Sequence, residues 1–125
     1  MKAPLLVAGL GAAGSVCRYG VSVAIQRMFN TKMPIGTFVV NVVGSLLIGA
    51  AMSYFAQRGA LDSRARIAVT VGFLGGFTTY SSFSFETWVL FEEKLYARAA
   101  VNVLATVVSC FAACALGVLA VRKLG

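Results

Sequence analysis

Four long apolar segments constrain this chain more than any other feature of its sequence. They cover residues 4–25, 35–55, 67–91 and 99–121. Each approaches or exceeds the roughly 20 residues that a helix needs to cross a hydrocarbon core about 30 Å thick. Of the 125 residues, 59% are apolar and only 12% are charged. We therefore predict an all-α integral membrane protein, with four transmembrane helices in a single domain that covers residues 1–125.

Short polar connectors separate the four segments, so neighbouring helices should run antiparallel. The connectors are residues 26–34, 57–66 and 92–98. Lys2 precedes the first segment as in a signal peptide, but the apolar stretch is longer than a signal core and contains Arg18. We interpret this segment as a membrane span. Arg18 then either snorkels to an interface, caps backbone carbonyls or attracts anions at a pore mouth.

A nucleotide-binding pattern in the first segment lacks the context that it requires. Gly9, Gly11 and Gly14 match G-x-G-x-x-G, but the first acidic residue of the chain is Asp62, far beyond the position that would hold a ribose. We expect these glycines to form a close-packing face of a membrane helix instead. The chain has no His and only four carboxylates, which disfavours hydrolytic or metal chemistry and indicates that it is not an enzyme.

The third segment carries an unusual polar interruption. A glycine pair, Gly75 and Gly76, precedes two threonines and then three serines within four residues. Such residues loosen a helix and compete for its backbone hydrogen bonds, so we predict a break within residues 75–79. Lipid cannot satisfy the backbone groups that a break frees; carbonyls there suit a cation, and helix amino ends suit an anion. The alternative is a continuous helix with a small-residue packing face.

Several other side chains are candidates for an ion path. Phe83 and Tyr80 lie among the hydroxyls of the third segment, and the positive edge of an aromatic ring attracts anions weakly; at this spacing they also suit a core or a lipid-facing surface. Asn41, four residues after Thr37, either lines a path or bonds to another helix. Glu86 is a candidate partner for a basic residue that the sequence does not identify.

The fourth segment contains one weakly polar ridge. Asn102, Thr106, Cys110 and Cys114 follow one another at intervals of four, which places them on one face of a helix. This face should contact other helices or water and not lipid. Without histidine, the thiols lack the further ligands of a metal site, and we interpret them as small packing residues.

Three stretches together resemble the Fluc/CrcB family of small fluoride channels. They are GAAGSVCRY at residues 11–19, PIGTFVVNVVG at 34–44 and GFLGGFTTYSSFSFET at 72–87. The resemblance implies an antiparallel, dual-topology homodimer with two fluoride pores. It also implies a structural Na⁺ at the dimer centre, held by backbone carbonyls that would here belong to Gly75 and Thr78. Two positions depart from the family pattern: Tyr80 stands where the family has Phe, and Ser82 where Thr is common.

The resemblance, taken with the polar pattern, assigns a fluoride pathway. Its residues are Thr37, Asn41, Tyr80, Ser81, Phe83, Asn102, Thr106 and Cys110, with Arg18 and Glu86 at a pore mouth or in structural roles. The additional hydroxyl of Tyr80 either holds fluoride more tightly or obstructs the path.

The basic residues are consistent with insertion in both orientations. The net charge is +7, but the basic residues punctuate apolar runs and form no stripe of the kind that binds nucleic acid. Six of them fall on the side of the N-terminus, the second connector and the C-terminus: Lys2, Arg58, Arg64, Arg66, Arg122 and Lys123. Four fall on the other side: Arg27, Lys32, Lys94 and Arg98. Positive charge in the loops sets the orientation of a membrane protein, and a difference of six against four is a weak preference for one orientation.

We therefore expect a passive, selective fluoride channel in the inner membrane of a bacterium, which exports fluoride from the cytoplasm. Its partners would be fluoride, the lipid bilayer and a second copy of itself. One alternative is a small dual-topology multidrug or cation transporter, which resembles this chain in length but generally uses a carboxylate in its first helix; here that helix has Arg18 and no carboxylate. The other alternative is a membrane subunit that transports nothing.

Overall fold

The computed structural model describes residues 2–125, and this part of the chain is helical with no strand. Its elements are α1 (Lys2–Met28), α2 (Ile35–Gln57), α3 (Arg64–Ile67), a π-helical segment (Ala68–Leu74), α4 (Gly75–Phe77), α5 (Tyr80–Glu92) and α6 (Tyr96–Leu124). Three of them, α1, α2 and α6, are long and apolar enough to cross a membrane. The predicted spans 4–25, 35–55 and 99–121 lie within these three helices.

The third span is built from several shorter elements. It begins at α3, continues through the π-helical segment and α4, and resumes in α5 after a two-residue interruption. The prediction of a broken third helix is therefore confirmed. The π-helical segment is an additional irregularity that the apolar pattern does not reveal, because its sequence, AVTVGFL, suits either kind of helix.

Helices α2 and α6 run parallel and pack with their backbones close together. Gly49 lies against the carbonyl of Cys114, and Gly117 lies against the backbone of α2. Further along both helices, the Ser53 hydroxyl lies 3.4 Å from the carbonyl oxygen of Val118, to which it donates a hydrogen bond. Small residues allow such approach in membranes, where dispersion contacts and interhelical hydrogen bonds drive association.

Helix α1 packs against the first half of the third span, also through glycines. A Cβ at Gly14 would meet the carbonyl of Phe73, and a Cβ at Gly76 would meet that of Gly11. The expected glycine face therefore includes Gly11 and Gly14. It does not include Gly9, where an added Cβ has no neighbour within 4 Å.

We predict that Gly14→Ala destabilises the protein while Gly9→Ala does not. The new methyl at Gly14 collides with backbone, which cannot rotate away, and overpacking of this kind costs about 1–3 kcal/mol. The methyl at Gly9 enters open space, and Ala favours a helix over Gly by about 1 kcal/mol. Thermal unfolding of both variants in the same detergent checks this pair. Equal shifts would contradict the close approach of α1 to the third span.

Candidate functional site

The third helix breaks at two threonines. Thr78 has φ −83° and ψ 156°, and Thr79 has φ −148° and ψ 120°, so both have extended backbone. Gly75, which lies within the predicted interval, is still helical at φ −62° and ψ −39°. The break therefore falls at the threonine end of that interval, and Gly76, ahead of it, allows the close approach of α1.

Asn41 of α2 supplies the hydrogen bonds that the broken backbone lacks. Its Nδ2 donates to the carbonyl of Thr79 at 2.9 Å, and its Oδ1 accepts from the Thr79 N–H at 2.8 Å. The side chain is buried, with 8% of its surface exposed. One of the two predicted roles of Asn41, a hydrogen bond to another helix, is therefore observed, and its target is the break itself.

Side chains also satisfy the helix ends on both sides of the break. The Thr79 hydroxyl accepts from the N–H of Ser82 at 3.2 Å and so caps the amino end of α5. On the other side, the carbonyl of Gly76 accepts from Arg18 Nε at 3.1 Å and from the Ser15 hydroxyl at 3.4 Å. Of the three roles considered for Arg18, the structure shows the capping of a freed carbonyl.

Some carbonyls near the break remain without such partners, those of Gly75, Phe77 and Thr78 among them. Within residues 2–125, the carbonyl oxygens of Gly75 and Thr78 accept no hydrogen bond. Unpaired backbone oxygens at an unwound helix are the ligands that hold Na⁺ in membrane proteins, so these two residues fit the ion that the resemblance implies. Residues 2–125 contain no group of three or more His, Cys, Asp or Glu side chains that would hold a metal.

A cavity of about 380 Å³, here called the break cavity, adjoins the break. The predicted site residues along it are Asn41, Gly75, Thr78, Tyr80, Phe83, Thr106 and Cys110. The rings of Tyr80 and Phe83 lie edge to face, with centroids 5.5 Å apart. Phe83 is buried at 8% exposure, whereas Tyr80 is 80% exposed. The structure therefore brings most of the predicted pathway onto one surface.

Part of the break cavity favours an anion, although Gly75 and Thr78, whose unpaired carbonyls suit a cation, also line it. Thr79 and Tyr80, at the amino end of α5, line it, and that end of a helix carries partial positive charge. From α6, Thr106 presents a buried hydroxyl whose oxygen has no hydrogen-bond partner among the described residues. Among residues 2–125, no charged side chain lines this cavity. A small anion here would meet donors and ring edges but no fixed charge strong enough to trap it.

A second cavity of about 90 Å³, here called the Arg18 cavity, contains the charged candidates. Its walls include Arg18, Thr37 and Glu86. The Thr37 hydroxyl donates to Glu86 Oε1 at 2.8 Å. Glu86 forms no ion pair within the described residues, where the observed pair joins Lys32 and Glu93, so a basic partner for Glu86 stays a prediction.

Two predicted residues line neither of these cavities. Asn102 is buried and donates from Nδ2 to the Thr87 hydroxyl at 2.8 Å. Ser81 is exposed, with its hydroxyl 3.4 Å from that of Thr79. Thr79 itself lines both cavities and is missing from the predicted pathway, although the pair of threonines in the interrupted segment marked its position.

Fold and site together define a class of protein: a multi-pass membrane protein with a discontinuous helix, an arrangement that recurs at the ion sites of transport proteins. A family model described as "CrcB-like protein, Camphor Resistance (CrcB)" matches residues 5–118. The chain belongs to the CrcB family.

Curated relatives match this chain over nearly its whole length. A protein of Geobacter sp. (strain M21) is 42% identical over 124 residues, which cover 99% of this chain and 100% of the relative. One of Caulobacter vibrioides (strain NA1000 / CB15N) is 45% identical over 124 residues, 98% of each chain. One of Sorangium cellulosum (strain So ce56) is 43% identical over 114 residues, 91% of this chain and 90% of the relative. Each is named "Fluoride-specific ion channel FluC".

Proposed function

We propose that this protein is a passive, selective fluoride channel that exports fluoride across the inner membrane. The observation that carries the proposal is its similarity, at 42–45% identity, to full-length relatives named as fluoride-specific channels. Hydrogen fluoride enters cells as a neutral weak acid and dissociates at the higher internal pH. A channel that lets the anion leave down its gradient lowers the fluoride concentration in the cytoplasm. No nucleotide motif in the sequence points to energy coupling.

The break cavity has the chemistry that such a channel needs. A fluoride ion that loses water must gain donors, and the amino end of α5 and the free hydroxyl of Thr106 supply them. The ring edges of Tyr80 and Phe83 add weak attraction. In this scheme Asn41 is a positioning residue: both ends of its amide hold Thr79, which fixes where the amino end of α5 points.

The active form would be an antiparallel homodimer with two pores. Tyr80 is 80% exposed in a single chain and lies at the middle of the third span, where its phenol would contact lipid. A buried Tyr hydroxyl usually finds a hydrogen-bond partner, and lipid tails supply none. A second chain over this face would cover Tyr80 and complete the wall of the break cavity. The nearly even distribution of basic residues supports insertion of the two copies in opposite orientations.

A structural Na⁺ would occupy the dimer centre. The carbonyls of Gly75 and Thr78, which the resemblance assigns to the ion, would hold it, because neither accepts a hydrogen bond within residues 2–125. When bound, the ion supplies positive charge that compensates these carbonyls. The chain itself contributes the remaining order at the break, through Arg18 on Gly76 and through Asn41 on Thr79.

Purified protein in liposomes should release fluoride, and not chloride, once a counter-ion path is supplied. A fluoride electrode outside vesicles loaded with fluoride measures the efflux, and a chloride electrode gives the matched control. Absence of fluoride efflux across several lipid compositions would refute the channel. Efflux of an organic cation in place of fluoride would favour a small multidrug transporter, although α1 has no carboxylate for proton exchange.

A further inference from the structure

Two connectors meet at a charged pair on one face of the membrane domain. Lys32 lies between α1 and α2, and Glu93 lies directly after α5. Lys32 Nζ is 3.0 Å from Glu93 Oε2, and both side chains are exposed, at 64% and 43%. An exposed pair of this kind contributes about 0–1 kcal/mol to stability, so holding the fold together is a weak reason for its presence.

The pair lies at the edge of a cavity of about 310 Å³, here called the Lys32 cavity. Glu86 forms part of its wall, and the same residue lines the Arg18 cavity. Thr79 in turn lines both the Arg18 cavity and the break cavity. Each cavity therefore shares one lining residue with the next, and the three lie between the helix break and the membrane face where Lys32 and Glu93 lie.

An anion that moves along this series meets a negative group near its end. Glu86 has one oxygen bonded to Thr37, and its other oxygen, Oε2, is buried without a partner among residues 2–125. Glu93 adds a second carboxylate at the surface. Of the described residues, Lys32 is the one basic side chain along the Lys32 cavity. Its ammonium has three donors, of which the contact with Glu93 uses one.

We propose that Lys32 and Glu93 form the charged mouth of the ion path. Lys32 attracts fluoride into the cavity that Glu86 lines, and the carboxylate of Glu93 limits that attraction. This inference rests on the proposed channel function. The two residues do not bind the ion in the pore; they set the local potential and hence the local concentration of fluoride at the entrance. Because both groups are exposed, their effect must depend on ionic strength.

Four variants separate an electrostatic role from a structural one. In fluoride efflux from liposomes at low salt, Lys32→Gln should lower the initial rate about threefold, which is the effect of one unit charge several ångströms away in water. Glu93→Gln should raise the rate by a similar factor. The double variant should return close to the wild-type rate. Arg27→Gln removes one positive charge from the same membrane face, at an exposed position outside these cavities, and should leave the rate unchanged.

Salt provides the second readout. At about 1 M ionic strength the screening length falls to about 3 Å, so all four variants should converge on the wild-type rate. Single variants that slow efflux to the same extent at every salt concentration would overturn the inference, because they would indicate that the pair merely ties the connectors together. Equal rates in the wild type and all four variants would also overturn the inference. Because the wild type would still release fluoride, the proposed channel function would stand. No efflux from the wild type would overturn both proposals.

Discussion

Phe83→Ile is expected to reduce fluoride efflux by about tenfold or more while the protein still folds. Phe83 is buried beside the break cavity, and its ring lies edge to face with that of Tyr80. Ile fills a comparable apolar volume but has no aromatic edge, so the weak attraction that offsets the dehydration of the anion is lost. Initial efflux rates from liposomes, at matched protein density, measure the effect.

The matched control is Phe111→Ile. Phe111 lies on α6, is 78% exposed and does not line the break cavity, so the same change of side chain should leave efflux close to wild type. Size-exclusion chromatography of both variants verifies that the assembly persists. If Phe83→Ile conducts as fast as Phe111→Ile, Phe83 does not contribute to the fluoride pathway.

The break in the third span could be predicted because its cause is local. Glycines, threonines and serines in succession weaken a helix wherever they occur, and the structure breaks at Thr78 and Thr79. The position within the interval could not be predicted, because contacts between helices decide it. Gly76 stays helical and lies against α1, while Asn41 of α2 takes both backbone groups of Thr79.

Partners of single polar side chains were harder to predict than the break. Glu86 accepts a hydrogen bond from the hydroxyl of Thr37, a residue 49 positions away in the sequence. No pattern in the sequence links these two positions. Arg18 had three possible roles, and only the fold shows that a freed carbonyl of Gly76 lies within reach. For such residues the sequence indicates that a polar partner is needed, and the packing of α1, α2 and the third span determines which one is available.

The ridge on α6 was predicted as one surface, but the structure divides its roles. Thr106 and Cys110 line the break cavity, whereas Asn102 turns to the Thr87 hydroxyl of α5. A spacing of four places residues on one face of a helix, and it does not indicate that one neighbour covers the whole face. Because α5 begins only after the break, the course of the third span determines which part of the ridge faces the cavity.

Asn41→Ala is expected to disorder the break and to abolish fluoride efflux. The variant removes both partners of Thr79, and each buried backbone group left unsatisfied costs about 1–3 kcal/mol. Without them, the amino end of α5 loses its fixed direction toward the break cavity. Hydrogen–deuterium exchange should show faster exchange across residues 78–83, together with a lower unfolding temperature and loss of efflux.

Asn102→Ala is the comparison that makes the result specific. Asn102 is equally buried, at 4% exposure, but its amide bonds to a side-chain hydroxyl and leaves no backbone group unpaired when it is removed. Its variant should destabilise the protein less and should leave exchange across residues 78–83 as in the wild type. Slow exchange in Asn41→Ala would show that the break holds its shape without the amide. Asn41 would then act on fluoride directly, through its place on the wall of the break cavity, and not by positioning α5.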